Sequence, residues 1–155
     1  MDVSLVFREA VKADLPAVLR LYAQPDLDDG QMLPLSKAEA LFDRLGRYPN
    51  YTLRLAVVQG QVVGVFSLLI MDNLAHLGAP SAVIEDVAVD SQWQGQGIGR
   101  KLMHYGLQIC RDHGCYKVSL SSHLKRDRAH AFYESLGFDR HGYSFQVPLG
   151  PTPQP

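Results

Sequence analysis

The chain has little cysteine, no long apolar run and almost no net charge, and each shortage removes a class of protein. Two cysteines in 155 residues, Cys110 and Cys115, are too few for a disulfide framework and are expected to be free thiols. With no fourth ligand spaced like a zinc site around Cys110, His113 and Cys115, no metal is expected. No apolar stretch approaches the ~20 residues that a membrane span needs, and Met1-Asp2-Val3-Ser4 lacks the basic and then apolar blocks of a signal peptide. The expectation is a cytoplasmic protein without a membrane partner. Fifteen Lys+Arg against sixteen Asp+Glu leave a formal net charge of −1. Because the two signs are interspersed, nucleic acid held by charge alone is excluded as a partner. A Walker Gly-Lys-Ser/Thr signature and internal repeats are also missing.

What is present suits one soluble α/β domain, expected over residues 4–147, with a Pro-rich tail over 148–155. The apolar fraction, 46%, is enough for a core without staples. A strand is expected over Leu5–Glu9, followed by a helix from about Asp14, whose side chain is placed to cap the first N–H groups. The stretch from Pro25 to Pro34, with Asp26, Asp28 and Asp29, reads as a loop, and Ser36-x-x-Glu39 as the capping box of a second helix. From Tyr51 the period changes to two. Residues 53–57 and 62–70 predict a β-hairpin, in which Gly64 marks a bulge or a close backbone approach. A third run over 82–89 precedes a glycine-rich segment and then a helix up to Gly114. A strand over 116–122, a helix over 126–136 closed by Gly137, a short strand near Phe138 and a last strand over 143–147 complete the pattern. Hairpins first and crossover helices later imply a mixed sheet with helices on both faces.

The segment Gln92-Trp93-Gln94-Gly95-Gln96-Gly97-Ile98-Gly99 joins a strand to a helix. Such a turn aims backbone N–H groups and the positive end of a helix dipole at one spot, which suits a phosphate or pyrophosphate. It is not a Rossmann fingerprint, because Arg100 stands where the third glycine belongs. The order Ile84-Glu85-Asp86-Val87-Ala88-Val89, then Gln94-x-x-Gly97-x-Gly99, then Ala129-x-x-Phe132-Tyr133-Glu134-x-x-Gly137-Phe138 resembles the GNAT superfamily of acyl-CoA-dependent N-acetyltransferases. The closest local likeness is to glucosamine-6-phosphate N-acetyltransferases, and it also uses Gly114-Cys115-Tyr116-Lys117.

The resemblance implies a GNAT acyltransferase fold: a mostly antiparallel central sheet whose middle strands splay apart, flanked by helices. It implies acetyl-CoA as co-substrate. The pyrophosphate would lie on Gln94, Gly95, Gln96, Gly97, Ile98, Gly99 and Arg100, and the pantetheine arm along Val87, Ala88 and Val89. Ala129, Phe132 and Tyr133 match the family's later coenzyme contacts, while Arg126 replaces a frequent Asn. The stretch 120–125 is longer than in the sugar-phosphate enzymes and lacks their acids, which weakens transfer of their substrate.

Acetyl transfer to an amine needs a neutral amine, a stabilised oxyanion and a proton for the thiolate. Glu85 is the expected base, with Asp86 behind it. In a regular strand only one of the two can face the acceptor. Tyr133 matches the family's general acid, and the main-chain N–H of Val87 its oxyanion donor. The ordinary alternatives are a surface ion pair for Glu85 and a helix-anchoring role for Tyr133. His123 and His130 read as surface residues. The expected partner is a small-molecule or peptide amine, with a homodimer through the C-terminal strands as the assembly. The rivals are a non-catalytic acyl-CoA-binding module and a nucleotide-binding α/β domain. The near-zero charge then divides in two: a phosphate end that favours anions, and an acceptor end where Asp26, Asp28 and Asp29 favour cations.

Overall fold

The computed structural model describes residues 4–150, so most of the Pro-rich tail expected over 148–155 lies outside the described residues. Two compact units are present, dividing between Leu120 and Ser121. The first holds β1 (Leu5–Glu9), α1 (Leu15–Tyr22), α2 (Leu35–Leu45), β2 (Tyr51–Val58), β3 (Gln61–Met71), β4 (Ser81–Val89), α3 (Ile98–Asp112) and β5 (Lys117–Ser119). The second holds α4 (Asp127–Ser135).

One sheet runs β1-β2-β3-β4-β5, antiparallel except for the parallel β4–β5 pair. Its two faces are set by the strand period. Val65 packs with Val18 and Leu21 of α1, whereas the next residue, Phe66, meets Gly106 of α3. Helices therefore cover both sides, as the pattern required. Phe66, Leu55, Leu102 and Met103 are fully buried, each worth about 2 kcal/mol of transfer free energy. A Cβ on Gly106 would stand 2.8 Å from Phe66 Cζ, so this glycine lets α3 lie directly on the ring. Gly64 fulfils both readings made of it: the β2–β3 register slips beside it, and a Cβ there would touch Leu102 at 3.1 Å.

Several local expectations are corrected. Asp14 does not cap α1. It accepts the Val11 N–H at 2.8 Å and holds Arg8 of β1 by two bonds of 2.7 and 2.8 Å, because a charged partner outcompetes orphan amides. The capping box at Ser36 is absent too. Pro34 is the N-cap of α2, which places Ser36 inside the first turn, and no side chain caps this helix. The strand over 116–122 shrinks to Lys117–Ser119. The strands expected near Phe138 and over 143–147 do not form among the described residues. Tyr143, Phe145 and Val147 are 91%, 92% and 76% exposed, since an alternating pattern makes a strand only where a neighbouring edge accepts its ladder. Among the described residues no helix is long and apolar enough to cross a membrane.

Candidate functional site

The middle of β4 departs from regular pairing. Ser67 stands opposite Glu85 and Val65 opposite Ala88, so Asp86 and Val87 together face the single residue Phe66. This is a bulge, and Asp86 within it takes φ of 53°, a left-handed conformation that Asp tolerates better than most residues. The extra residue resets the alternation. Ala88 enters the α1-side core with Val18 and Leu21, on the face where Glu85 lies. Glu85 lines a small cavity of about 130 Å³ with Tyr51, Ser67, Leu69 and Val83. Buried Ser67 fixes the backbone beneath it, its Oγ donating to the Glu85 carbonyl at 3.0 Å.

Asp86 joins the same side electrostatically. Its carboxyl is pushed above the usual carboxylate range, first by loss of water and then by Asp28. Burial pushes the Tyr22 phenol up as well, and Asp86, Tyr51 and Asp28 add to that push. The Tyr22 hydroxyl is buried without a hydrogen-bond partner, a position that costs free energy until something polar reaches it. Tyr22 was legible only as one apolar position of a helix face. Its hydroxyl among two carboxylates needed the fold to be noticed.

Past Val83, β4 has one edge with no strand paired to it among the described residues. β5 pairs with Ser81, Ala82 and Val83 only, while β4 continues to Val89. This gap is the splay that the family resemblance implied. The Asp90 N–H donates to Val63 O at 2.8 Å, which makes Gly64–Val89 a non-hydrogen-bonded pair. By alternation, Ala88 turns its backbone groups to β3 and Val89 turns its own to the open edge.

The strand then enters the glycine loop. Asp90 caps the short turn Ser91–Trp93, its Oδ1 accepting from Gln92 N at 2.9 Å. Gly95 and Gly97 follow with φ of 77° and 82°. Gly97 is the N-cap of α3, where no side chain caps the helix and no acid sits in the first turn. Ile98 is buried and anchors the helix start, while Gln94, Gly95, Gln96, Gly97 and Arg100 are exposed. The uncapped N–H groups and the dipole of a 15-residue helix fit an anionic group, and the open edge of β4 fits an amide-bearing chain. The residues present thus fit a coenzyme of that chemistry. Two loop side chains are engaged with the protein itself. Gln94 Nε2 donates to Val89 O at 3.1 Å, and Gln96 Nε2 to Gln92 O at 3.3 Å.

The remaining candidates belong to the second unit. Tyr133 sits on α4 with its ring 5.4 Å from that of Phe132 and 5.9 Å from that of Phe138. Burial raises its phenol above the ordinary tyrosine value, and the Arg126 charge, two turns earlier, partly offsets this. Arg126 is the exposed N-cap residue of α4, and Ala129 is half-buried. Gly137, with φ of 95°, closes the helix as expected. His130 Nε2 donates to His123 O at 2.8 Å, so both histidines fasten the segment before α4. Cys110 is a buried free thiol, pushed up to about 11 by its surroundings. Among the described residues no group of three His, Cys, Asp or Glu side chains is placed to hold a metal ion.

Comparison with known proteins bears on the family and the fold. A family model described as the acetyltransferase (GNAT) family matches residues 15–138. A glucosamine 6-phosphate N-acetyltransferase of Trypanosoma brucei brucei is 38% identical over 90 residues, which cover 58% of this chain and 59% of that relative. The chain therefore matches less than two thirds of that protein's length. An aminoglycoside N(6')-acetyltransferase type 1 of Stenotrophomonas maltophilia is 30% identical over 151 residues, 94% of each chain. Among solved structures, a Trypanosoma brucei acetyltransferase superposes with a TM-score of 0.82 at 30% identity, covering 94% of this chain and all of that one (100%).

Proposed function

The chain belongs to the acetyltransferase (GNAT) family, whose fold is an acyltransferase fold, and on that premise we propose that it moves an acetyl group from acetyl-CoA to a primary amine of a small molecule or peptide, by direct attack in a ternary complex. The observation that carries the reading is the open edge of β4 past Val83, leading into an uncapped, glycine-bounded helix start. The backbone amides of residues 95–100 would take the phosphates, and Val87 and the Val89 N–H would take the amide-bearing arm. Acetyl-CoA supplies the activated thioester. Everything else falls to the chain.

An alkylamine with a pKa of ~10 is mostly protonated at neutral pH and must lose a proton before it attacks. Glu85, lining the cavity on the α1 side, removes that proton directly or through water. The Val87 N–H stabilises the oxyanion. Tyr133, a phenol that is neutral at neutral pH, would donate its proton to the departing thiolate. Asp86 and Asp28 with the orphan Tyr22 hydroxyl favour a cationic, hydrogen-bonding acceptor. A cytoplasmic setting and a homodimer through the C-terminal segment belong to the same reading, the former in keeping with two free thiols.

The test is amine-dependent release of free coenzyme A thiol from acetyl-CoA across a panel of amino sugars, aminoglycosides, polyamines and peptide amines. Turnover with at least one class is expected. Tight coenzyme A binding with no turnover on any of them would assign the chain to the non-catalytic binding modules instead.

A further inference from the structure

Gln24, just past the end of α1, makes three hydrogen bonds with one carboxamide. Its Nε2 donates to Leu21 O at 3.0 Å and to Val89 O at 3.2 Å, and its Oε1 accepts the Ser91 N–H at 2.9 Å. Since Gln94 also donates to Val89 O, that carbonyl has both lone pairs engaged and offers none to a ligand. The backbone around Gln24 is equally occupied, on the other side of the site. Its own carbonyl accepts from Leu27 N at 3.0 Å and Asp29 N at 3.3 Å. Ala23 O accepts from Gly30 N at 2.7 Å, and Tyr22 O from Asp28 N at 3.0 Å. One residue thus ties the end of the open strand, through its side chain, to the acid-bearing loop, through its main chain.

We propose that Gln24 is a positioning residue that couples the coenzyme end of the site to the acceptor end. The inference rests on the coenzyme reading given above. A ligand seated on the glycine loop and the open edge of β4 narrows the motion of residues 89–91. The Gln24 amide passes that restriction to residues 27–30, so that Asp28 is set before the amine arrives. A carboxamide suits this, because one planar group donates to carbonyls through its nitrogen while its oxygen accepts from an N–H. Such coupling is reciprocal: whatever orders the loop also tightens the coenzyme.

Hydrogen exchange with coenzyme A as the probe tests the link without any turnover. In the wild type, bound coenzyme A should protect residues 92–99 and slow exchange of the Leu27–Gly30 amides by about fivefold or more. In Gln24→Ala the glycine segment should still be protected, while the loop amides change by no more than about twofold between free and bound protein. Ser91→Pro removes the serine hydroxyl and, of the bonds Gln24 makes, deletes the one it accepts from the Ser91 N–H. Proline is tolerated at a first helical position, and Asp90 already has the extended backbone, ψ 130°, that a following proline requires. The Gln24 bond to Val89 O survives this change, so loop protection should fall below the wild-type ratio without vanishing, and an unchanged ratio overturns the proposal even if Gln24→Ala does not fold. A merely structural Gln24 would speed loop exchange in free and bound protein alike and leave their ratio unchanged, which overturns the proposal. So does a wild-type loop indifferent to bound coenzyme A. Failure of the wild type to protect residues 92–99 at all is a different result: it removes the coenzyme reading itself, and the coupling with it.

Discussion

Glu85 and Ala88 are three residues apart in β4, yet they stand opposite Ser67 and Val65, two residues apart in β3. That mismatch sets the candidate site. It keeps Glu85 over the cavity, inserts Asp86 beside it, and returns the following residues to the core in register.

Glu85→Gln removes the proposed base but keeps its shape. We expect kcat/KM to fall by about 100-fold with an unchanged melting temperature, since the loss of a positioned base costs 10²-fold or more. Steady-state rates with any accepted amine check this, and an unaltered rate would assign Glu85 to a structural role.

Asp86 gives a pH test. A carboxyl whose folded pKa lies above its unfolded value of ~3.9 favours the fold while protonated. Its favourable contribution is present below the unfolded value and is lost as pH rises through the folded one, so at neutral pH the charge is a burden. Asp86→Asn, which keeps a residue at ease with positive φ, should therefore raise the melting temperature at pH 7 by no more than about 2 °C, because water contact discounts the effect. The gain should fade toward pH 4, and thermal melts across that range decide it.

Asp14 behaves in the opposite sense. Arg8 and the Val11 N–H hold its carboxyl below the usual range, so its stabilising contribution is present above ~3.9 and is lost as pH falls through the folded value. Asp14→Ala should destabilise the protein at pH 7 by about 1–2 kcal/mol, the worth of charge-assisted bonds reduced for a partly exposed arginine. Urea denaturation at pH 7 and pH 3 should show the difference between variant and wild type shrinking at the lower pH.

Gly97 tests the loop. A Cβ there meets nothing within 4 Å, so the cost of Gly97→Ala is conformational: about 1–2 kcal/mol for φ of 82° in a residue with a side chain. The loop should relax away from this shape when empty, and coenzyme A affinity measured by calorimetry should fall by about fivefold to thirtyfold.

Tyr133→Phe should lower kcat by about tenfold to 100-fold and leave coenzyme A affinity unchanged, because a thiolate of pKa ~8.5 departs moderately well unaided. Arg126→Ala removes the charge that holds the phenol down. Ultraviolet titration of the tyrosines should then show one group ionising at higher pH than in the wild type.

The sequence by itself determined what depends on neighbours along the chain. The alternation at Leu53, Leu55 and Val57, the glycine loop between strand and helix, and the Gly114 and Gly137 stops are local choices of backbone and solvent. Local patterns of this kind led to nine of the ordered elements, and the family entered through the resemblance carried by the motifs of 84–89, 94–99 and 129–138. Tertiary structure decided what depends on partners far off in the chain. Asp14 chose Arg8 over its own helix. Residues 143–147 have the period of a strand and form none among the described residues. The bulge at Asp86 arises only from pairing with β3. Gln24 meets Val89 across 65 residues of sequence, and the energy of that contact belongs to the fold alone.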